Sequence, residues 1–229
     1  LTKRLDKVGT KARVQKDKES IAEVEILEPL IAALQAGKPA RSVRLSKEQA
    51  AFAKNTYHLL TQKPIIYVAN VSEEDYANPD ADKHFQTVKR IASQEGAEAI
   101  PVSCEIEAQL SGLPKEEKKE FLAALGATES GLDKVVKAAF RLLNLSTFFT
   151  CGADECRAWT FPKGYLAPQC AGVIHSDFER GFIKAEVYTY DDIVKYRTEL
   201  AVREAGKMRV EGKDYAPQEG DIMFFRFNV

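Results

Sequence analysis

The most informative absence from this sequence is a glycine-rich loop that could bind phosphate groups. Such a loop combines backbone N–H groups that face the phosphates with a lysine and a hydroxyl side chain. Gly-Lys pairs occur only at Gly37, Gly206 and Gly212, and none of them is followed by Ser or Thr. None has a glycine five residues earlier either. These residues therefore supply no ligands for a triphosphate or for its Mg²⁺, although they could still hold a base.

Two further absences narrow the class of protein. The chain has no signal-peptide pattern and no long apolar run, so we expect no membrane partner and a reduced, cytoplasmic setting. Its 33 basic and 34 acidic residues balance to a formal net charge of −1. Nothing in the overall charge therefore indicates a nucleic-acid binder. Any RNA site must be local, we expect no DNA partner, and a monomer is our default.

The cysteine and histidine content is low and does not suggest a metal centre or a catalytic group. The four cysteines are Cys104, Cys151, Cys156 and Cys170. Cys151 and Cys156 are separated by four residues, which is wide of the usual spacing of paired zinc ligands, and no histidine cluster completes a set. His175 has no nucleophile and orienting carboxylate at a recognisable spacing, so a structural histidine is the simpler interpretation. We predict neither a metal site nor a catalytic residue.

Residues 1–62 are predicted to form a helical arm. Apolar residues with helical spacing line one face over residues 1–12 and again over residues 24–34, so two helices could pack along these stripes. Pro29 would kink or restart the first helix. A return helix is expected to start at Ser46, where S-K-E-Q is a capping box, and to run to about residue 61.

The arm carries a local excess of positive charge. Its first eighteen residues contain seven Lys and Arg but only two Asp, and more basic residues lie near its far turn. This charge could bind RNA phosphates, whereas a solvated helical face is the alternative interpretation. The candidate RNA or ribosome contacts are Lys7, Lys11, Arg13, Arg41 and Arg44.

From Lys63 the pattern changes to alternating strands and helices. The run KPIIYVAN predicts a buried parallel strand, and AEAIPVSCEIE predicts a second one. Helices are expected from about Asp80 to Glu95 and from Ser130 or Asp133 onward. This order implies a parallel sheet with crossover helices, whose ligands lie beyond the carboxyl ends of the strands.

Polar residues follow both predicted strands at such an end. The amide of Asn70 could donate and accept hydrogen bonds at a purine edge. A guanine-binding site requires an aspartate three residues after the asparagine and commonly has a lysine directly after it. Here Glu73 and Val71 occupy these positions, so the preference for guanine should be weakened or lost. Ser103 and Cys104 could close over the same base. The alternatives are a loop asparagine with a surface glutamate and an ordinary strand-to-loop turn.

Residues 146–229 are predicted to form a compact β-rich module. Short apolar runs between glycine and proline breaks indicate strands near residues 148–150, 158–161, 182–187 and 222–227. The segment YDDIVKYRTELAVREAGK indicates one helix. Trp159 and Phe161 could stack on RNA bases, but core packing is the better interpretation of aromatic residues on short strands.

These segments together resemble the Obg-like ATPase (YchF) subfamily of the translation-factor-related (TRAFAC) P-loop NTPases. The resemblance is carried by IIYVANVSEED, GKPAR, PVSCEIEAQL and the tail segments RAWTF, APQCAGVIHSDFERGFIKAEV and GKDYAPQEGDIMFFRFNV, and it covers essentially every residue. It implies an α/β fold in three domains. A helical coiled-coil arm, residues 1–62, is inserted in a partial Rossmann-like P-loop G domain with a parallel sheet, and residues 63–145 are the C-terminal part of that G domain. A β-grasp (ubiquitin-like) TGS domain follows at 146–229.

The resemblance also implies roles for the residues at the strand ends. Asn70 and Glu73 match the family's N-x-x-E motif, which favours ATP over GTP, and the two residues between them would add backbone or apolar contacts. Ser103 and Cys104 match the fifth guanine-nucleotide motif, although Cys104 stands where many relatives have alanine. The implied base-binding residues are Asn70, Val71, Ser72, Glu73, Ser103 and Cys104.

For the intact protein, the resemblance implies ribosome-associated hydrolysis of ATP with Mg²⁺. The family's P-loop and switch regions would precede Leu1, so we expect a C-terminal fragment or an incompletely represented molecule. The expected partners are ATP and the ribosome or structured RNA. The alternative function is a non-catalytic RNA- or ribosome-binding module formed by the arm and the TGS domain.

Overall fold

The computed structural model describes residues 1–152 and 155–228 of the chain. They form two compact units, Leu1–Val135 and residues 136–228. The predicted domain boundaries, after residues 62 and 145, stay predictions, and the last residue of the third predicted domain, Val229, lies outside the described residues. None of the helices described is both long and apolar enough to span a bilayer.

The first unit is mainly helical and contains a two-stranded sheet. Its strands are β1 (Ile66–Asn70) and β2 (Glu98–Val102). A further helix, α8 (Gly131–Leu142), begins in this unit and continues into the second. The other α-helices of the unit are α1 (Thr2–Gln15), α2 (Lys18–Gln35), α3 (Lys47–Tyr57), α4 (Glu73–Tyr76), α5 (Lys83–Gln94), α6 (Cys104–Ser111) and α7 (Lys115–Ala124).

The first two helices pack against each other, and their buried positions match the predicted apolar stripes in part, since Leu30 lies outside the predicted stripe. Val8 is buried in α1, and Leu27 and Leu30 are fully buried in α2. The helices are separated by Lys16, whose backbone is left-handed with φ 50°, after which the carboxylate of Asp17 accepts a hydrogen bond from the N–H of Ser20 and caps α2. The break in the arm therefore lies where a side chain satisfies free N–H groups of a new helix.

Two details of the predicted arm differ from the structure. Helix α2 runs through Pro29 without restarting. The capping box at Ser46 is present, with reciprocal bonds to Gln49 of 3.2 and 3.0 Å. However, α3 ends at Tyr57 because His58 adopts a left-handed conformation with φ 49°.

The predicted parallel pairing of the two strands is confirmed. Strands β1 and β2 run parallel, with Ile66 opposite Glu98 and Asn70 opposite Val102. The first strand is not buried on both faces as predicted, because the side chain of Val68 is 54 % exposed. In the described chain β1 pairs only with β2, so no further strand shields this part of it.

The second unit is built on a mixed five-stranded sheet with the order β4-β3-β7-β5-β6. Strands β3 and β7 are parallel, and the other neighbours are antiparallel. The strands are β3 (Leu145–Cys151), β4 (Cys156–Pro162), β5 (Phe182–Thr189), β6 (Arg209–Glu211) and β7 (Asp221–Phe227). The helices are α9 (Ala167–Ile174), α10 (Ser176–Arg180), α11 (Tyr190–Tyr196) and α12 (Glu199–Glu204).

Helices cover this sheet on both faces, where the sequence predicted one helix. The main core contains Phe148, Phe161 and residues of α9, so Phe161 is a core residue as its strand position suggested. On the opposite face, Tyr188 and Ile222 pack against α11 and α12. The predicted single helix is divided in two because Arg197 is left-handed, with φ 72°.

Gly181, the residue that follows α10, has no room for a side chain. Its replacement therefore tests how closely the chain packs at this point. A Cβ at Gly181 would lie 2.1 Å from the carbonyl oxygen of Asn228, while the N–H of Asn228 donates to the Gly181 carbonyl at 2.9 Å. We expect Gly181→Ala to lower the free energy of unfolding by about 1–3 kcal/mol, because backbone must shift to relieve the overlap. Urea denaturation followed by circular dichroism measures this change.

The matched control is Gly212→Ala in the same unit. A Cβ at Gly212 meets no atom within 4 Å, so we expect a change of at most about 0.5 kcal/mol. Equal unfolding midpoints for the two variants would contradict the close approach of Asn228 to Gly181.

Candidate functional site

The carboxyl ends of the two parallel strands bring distant segments of the first unit together. Asn70 is the last residue of β1 and is exposed. Its side-chain Oδ1 accepts a hydrogen bond of 3.0 Å from the backbone N–H of Cys104, the first residue of α6. The structure thus joins the two segments in which the sequence predicted base-binding residues.

Val71 supports this arrangement from the interior of the protein. Its backbone N–H donates to the carbonyl of Val102 at 2.9 Å, which continues the strand pairing past the end of β1. Its side chain is only 8 % exposed and packs in a core that includes Phe85 and Ile106. The apolar contact with a base that we expected from Val71 is therefore not available, because the side chain points into the protein.

Ser72 and Glu73 start the short helix α4. The hydroxyl of Ser72 accepts a hydrogen bond of 3.1 Å from the N–H of Asp75 and donates one of 2.6 Å to its carboxylate. Ser72 is thus occupied in capping α4. Glu73 is exposed, and its Oε1 accepts a long hydrogen bond of 3.4 Å from the side chain of Gln109 in α6.

Ser103 and Cys104 are adjacent in the chain, but only Cys104 is exposed. Ser103 is 1 % exposed and precedes α6 as its N-cap. Cys104 is exposed and carries a free thiol. Of the six predicted base-binding residues, four are exposed at the strand ends: Asn70, Ser72, Glu73 and Cys104, although the Ser72 hydroxyl is engaged in capping α4. Val71 and Ser103 instead support them from within.

The sequence analysis missed α6 and the contacts that it makes. Gln109 reaches Glu73 from this helix, and the carboxylate of Glu107 accepts a hydrogen bond of 2.6 Å from the N–H of Gly131 at the start of α8. The available signal was the four-residue spacing of Ile106 and Leu110, both of which are buried. The start of α8 is thereby held against α6.

Tyr76 completes the support beneath these strand ends. Its ring is buried, and the ammonium of Lys134 lies 5.4 Å from the ring centroid. Burial, with a smaller effect of the nearby Glu107 carboxylate, raises the pKa of the Tyr76 hydroxyl. Tyr76 therefore stays neutral at physiological pH and acts as packing.

The exposed groups suit the edge of a nitrogenous base. Because Asn70 uses Oδ1 to hold α6, its amide N–H₂ remains as a donor, and Oδ1 can accept a second bond. Glu73 adds a carboxylate acceptor in the first turn of α4. Among residues 1–152 and 155–228 no group of three or more His, Cys, Asp or Glu could bind a metal ion.

The basic residues of α1 lie on two sides of the helix. Lys7 and Lys11 are exposed and one turn apart, so they form a row beside the apolar stripe. Arg13 lies on the other side of the stripe, and its Nε donates to the carbonyl of Gly9 at 3.3 Å. Only Lys7 and Lys11 of these three point in a common direction.

Arg41 and Arg44 differ in their surroundings. The guanidinium of Arg41 forms a 2.6 Å ion pair with Glu95 and donates to the carbonyl of Thr61 at 3.3 Å. Glu95 also accepts a hydrogen bond from Tyr67, and Arg41 followed by Tyr67 lowers the pKa of its carboxyl. Arg44 is exposed. The structure thus gives Arg41 a role in joining the arm to α5, which limits its availability to RNA.

Comparison with known protein families identifies the last third of the chain. The family model YchF-GTPase_C, described as "Protein of unknown function (DUF933)", matches residues 145–228. The ribosome-binding ATPase YchF of Bacillus subtilis (strain 168) is 50 % identical over 227 residues, which cover 99 % of this chain and 62 % of that protein. Obg-like ATPase 1 of Rattus norvegicus is 44 % identical over 194 residues, covering 84 % and 48 %.

Solved structures show the same likeness. The structure of the Schizosaccharomyces pombe YchF GTPase superposes with a TM-score of 0.81 at 35 % identity, over 98 % of this chain and 61 % of that one. A GTP-binding protein from Pyrococcus horikoshii OT3 superposes with a TM-score of 0.55 at 21 % identity, over 100 % and 66 %, and shows similarity of fold alone. The chain spans less than two thirds of the length of these relatives.

The two arginines near the arm's turn allow a matched test of stability. We expect Arg41→Ala to move the urea midpoint of unfolding to lower concentration at pH 7, because Glu95 loses its ion pair, and Arg44→Ala to leave the midpoint unchanged. The lowered pKa of Glu95 means that the pair stabilises the fold above the carboxyl's unfolded pKa, about 4.3. The difference between wild type and Arg41→Ala should therefore shrink as the pH falls through the folded pKa. A difference that is as large at pH 2 as at pH 7 would contradict this origin.

Proposed function

Because this chain belongs to the YchF/Obg-like ATPase family, we propose that its first unit selects the base of ATP at the ends of β1 and β2. The observation that supports this proposal most directly is the hydrogen bond from Cys104 N–H to Asn70 Oδ1. It holds an exposed amide at the edge of a parallel sheet, where ligands of such sheets lie. The relatives named ribosome-binding ATPases support the nucleotide class.

In this proposal Asn70 and Glu73 bind two adjacent groups on one edge of adenine. The free amide N–H₂ of Asn70 donates to the ring nitrogen N7, and the Glu73 carboxylate accepts from the exocyclic amino group of adenine. Guanine is disfavoured because Glu73 is one methylene longer than the aspartate that pairs with two adjacent guanine donors. Its bond to Gln109 also draws the carboxylate toward α6. Cys104 contributes its position at the start of α6, close to the base.

The whole protein's activity is proposed to be ATP hydrolysis, in line with the names of its relatives. The residues described here supply no phosphate or Mg²⁺ ligands, so we assign them base selection and no chemical step. Mg²⁺ would act on the phosphates through residues other than these. A ribosome partner also implies a cytoplasmic location.

The finer architecture is part of the same proposal. We assign the packed helices α1 and α2, with α3, to a coiled-coil arm, and the second unit to a TGS domain of the β-grasp type. The mixed sheet with helices on its faces supports the second assignment. We take a monomer as the functional form.

The second candidate function is a binding module for the ribosome or structured RNA, in which the Lys7–Lys11 row contacts phosphates. Both lysines are exposed and one turn apart, and Arg44 offers a third exposed charge at the far turn. Three acidic residues lie close to the two lysines: Asp17, Glu19 and Glu23. The positive electrostatic potential of the Lys7–Lys11 row therefore extends over a short distance only. This function requires no nucleotide and is compatible with the first.

Base selection is tested by conservative changes within α4. In a chain that carries a phosphate-binding segment in addition to these residues, we expect Glu73→Asp to lower the preference for ATP over GTP about tenfold, or about 1.4 kcal/mol. The shorter carboxylate can approach both guanine donors. Titration with fluorescent ATP and GTP analogues measures the two affinities.

Glu74→Asp, one residue further along the same helical turn, is the matched control and should leave the ratio of affinities unchanged. Asn70→Ala should weaken the binding of both nucleotides, since it removes the donor and the tie to α6. An unchanged ATP-to-GTP ratio in Glu73→Asp would refute the role of Glu73.

Ribosome binding is tested through its dependence on salt. We expect the double variant Lys7→Gln, Lys11→Gln to weaken binding and to reduce the slope of log K against log salt by about 1–2, as the loss of two phosphate contacts requires. Co-sedimentation at several salt concentrations measures the slope. Arg13→Gln, on the other side of α1, should change it little. If Arg13→Gln has the larger effect, the Lys7–Lys11 row is not the contact.

A further inference from the structure

Two cysteines face each other across the first hairpin of the second unit. Cys151 ends β3, Cys156 begins β4, and the two residues are directly opposite in the antiparallel register. The next pair toward the turn is hydrogen-bonded, since the N–H of Gly152 donates to the carbonyl of Glu155 at 2.8 Å. Bonded and non-bonded pairs alternate along such a ladder. The cysteines therefore occupy a non-hydrogen-bonded pair, the position at which opposite side chains come closest.

This position meets the geometric needs of a disulfide. Opposite Cα atoms of a non-hydrogen-bonded pair lie about 4.5 Å apart, and a disulfide accepts Cα separations of about 4.4–6.8 Å. The two side chains also project from the same face of the sheet, because residues opposite each other share a face. At this separation, no backbone movement is needed to join them.

The surroundings distinguish this pair from the other cysteines. Both thiols are free; Cys156 is exposed and Cys151 is partly buried. Cys170 is fully buried in the main core, and Cys104 belongs to the first unit. Burial, followed by the hydrogen bond with Cys156, raises the pKa of Cys151 to about 11. Cys156 is therefore the better placed of the two to react first.

Both cysteines are reachable by a small molecule. They line a cavity of about 680 Å³ together with Tyr190, Arg197 and other residues of β7 and the α11–α12 corner. The lining also contains the guanidinium of Arg197 and the carboxylate of Glu199, so the cavity presents charges of both signs. A tripeptide disulfide such as oxidised glutathione likewise carries both ammonium and carboxylate groups.

We propose that Cys151 and Cys156 form a reversible disulfide by exchange with a low-molecular-weight disulfide of the glutathione type. The Cys156 thiolate attacks one sulfur of the small disulfide, whose S–S bond breaks and releases one thiolate. The Cys151 thiolate then attacks the sulfur of Cys156 in the mixed disulfide and releases the second small thiolate. The two released thiolates take up the two protons that the cysteines lose and become thiols. The cysteines are oxidised by two electrons, and the small disulfide is reduced by two.

The consequence is a covalent link at the edge of the sheet. Strand β4 is an edge strand, and the disulfide ties its first residue to β3 while removing both thiols from the cavity lining. Closure is the slower step, since the raised pKa of Cys151 leaves little thiolate at neutral pH. This inference concerns the second unit and stands apart from the proposed nucleotide and ribosome functions.

Peptide mass analysis of the full chain tests the proposal. The chain is equilibrated in glutathione buffers of increasing oxidised fraction, quenched in acid, alkylated and digested with trypsin. Residues 142–157 form one tryptic peptide that contains both cysteines, whereas Cys104 and Cys170 fall in peptides 91–115 and 164–180. We expect peptide 142–157 to lose two hydrogens and both alkylation sites together, over one range of buffer ratio. The other two peptides should not take part in this loss.

Serine variants of the two exposed cysteines provide the controls. Cys156→Ser should abolish the loss of two hydrogens, whereas Cys104→Ser should leave it unchanged; circular dichroism confirms that both variants fold. Three results would overturn the proposal: both cysteines stay alkylated in fully oxidised glutathione, Cys156 retains glutathione at equilibrium while Cys151 is alkylated, or the disulfide joins two chains, as seen on a non-reducing gel.

Discussion

A single hydrogen bond, from the backbone of Cys104 to the side chain of Asn70, determines how the candidate base site is arranged. Asn70 ends β1 and Cys104 begins α6, so this bond links the exit of one strand to the helix that follows the other. It depends in turn on the parallel register, which places Asn70 opposite Val102. A shift of the register by one residue would turn Asn70 to the other face of the sheet and remove the amide from the site. The placement of Glu73 relative to Gln109 depends on the same register.

Local patterns in the sequence predicted those parts of the fold that local physics controls. The capping box at Ser46, the apolar run of β1 and the stripe around Val8 were all found where expected. The restart predicted at Pro29 does not occur, because one missing N–H bond does not outweigh a long packed helix. The division of the last helical segment at Arg197 was missed, because a left-handed residue at a non-glycine position has no reliable sequence signal.

The candidate site shows the same division between local and distant information. Asn70 and Glu73 could be placed at a strand end from the sequence, and the resemblance to relatives supplied their roles. The inward direction of Val71 and the contact between Gln109 and Glu73 could not be predicted, since both follow from the packing of α6, 36 residues away in the case of Gln109. The charge of Arg41 was visible in the sequence, but its ion pair with Glu95, formed across 54 residues, was not.

The two-stranded sheet has a consequence for how this chain behaves in solution. In the described residues each strand of the pair has one edge with no neighbouring strand, and Val68 is exposed on the face of β1. Open edges of this kind present unpaired N–H and C=O groups to other molecules and favour aggregation. A further β-strand, from a longer chain that contains these residues or from a second molecule, would pair at these edges.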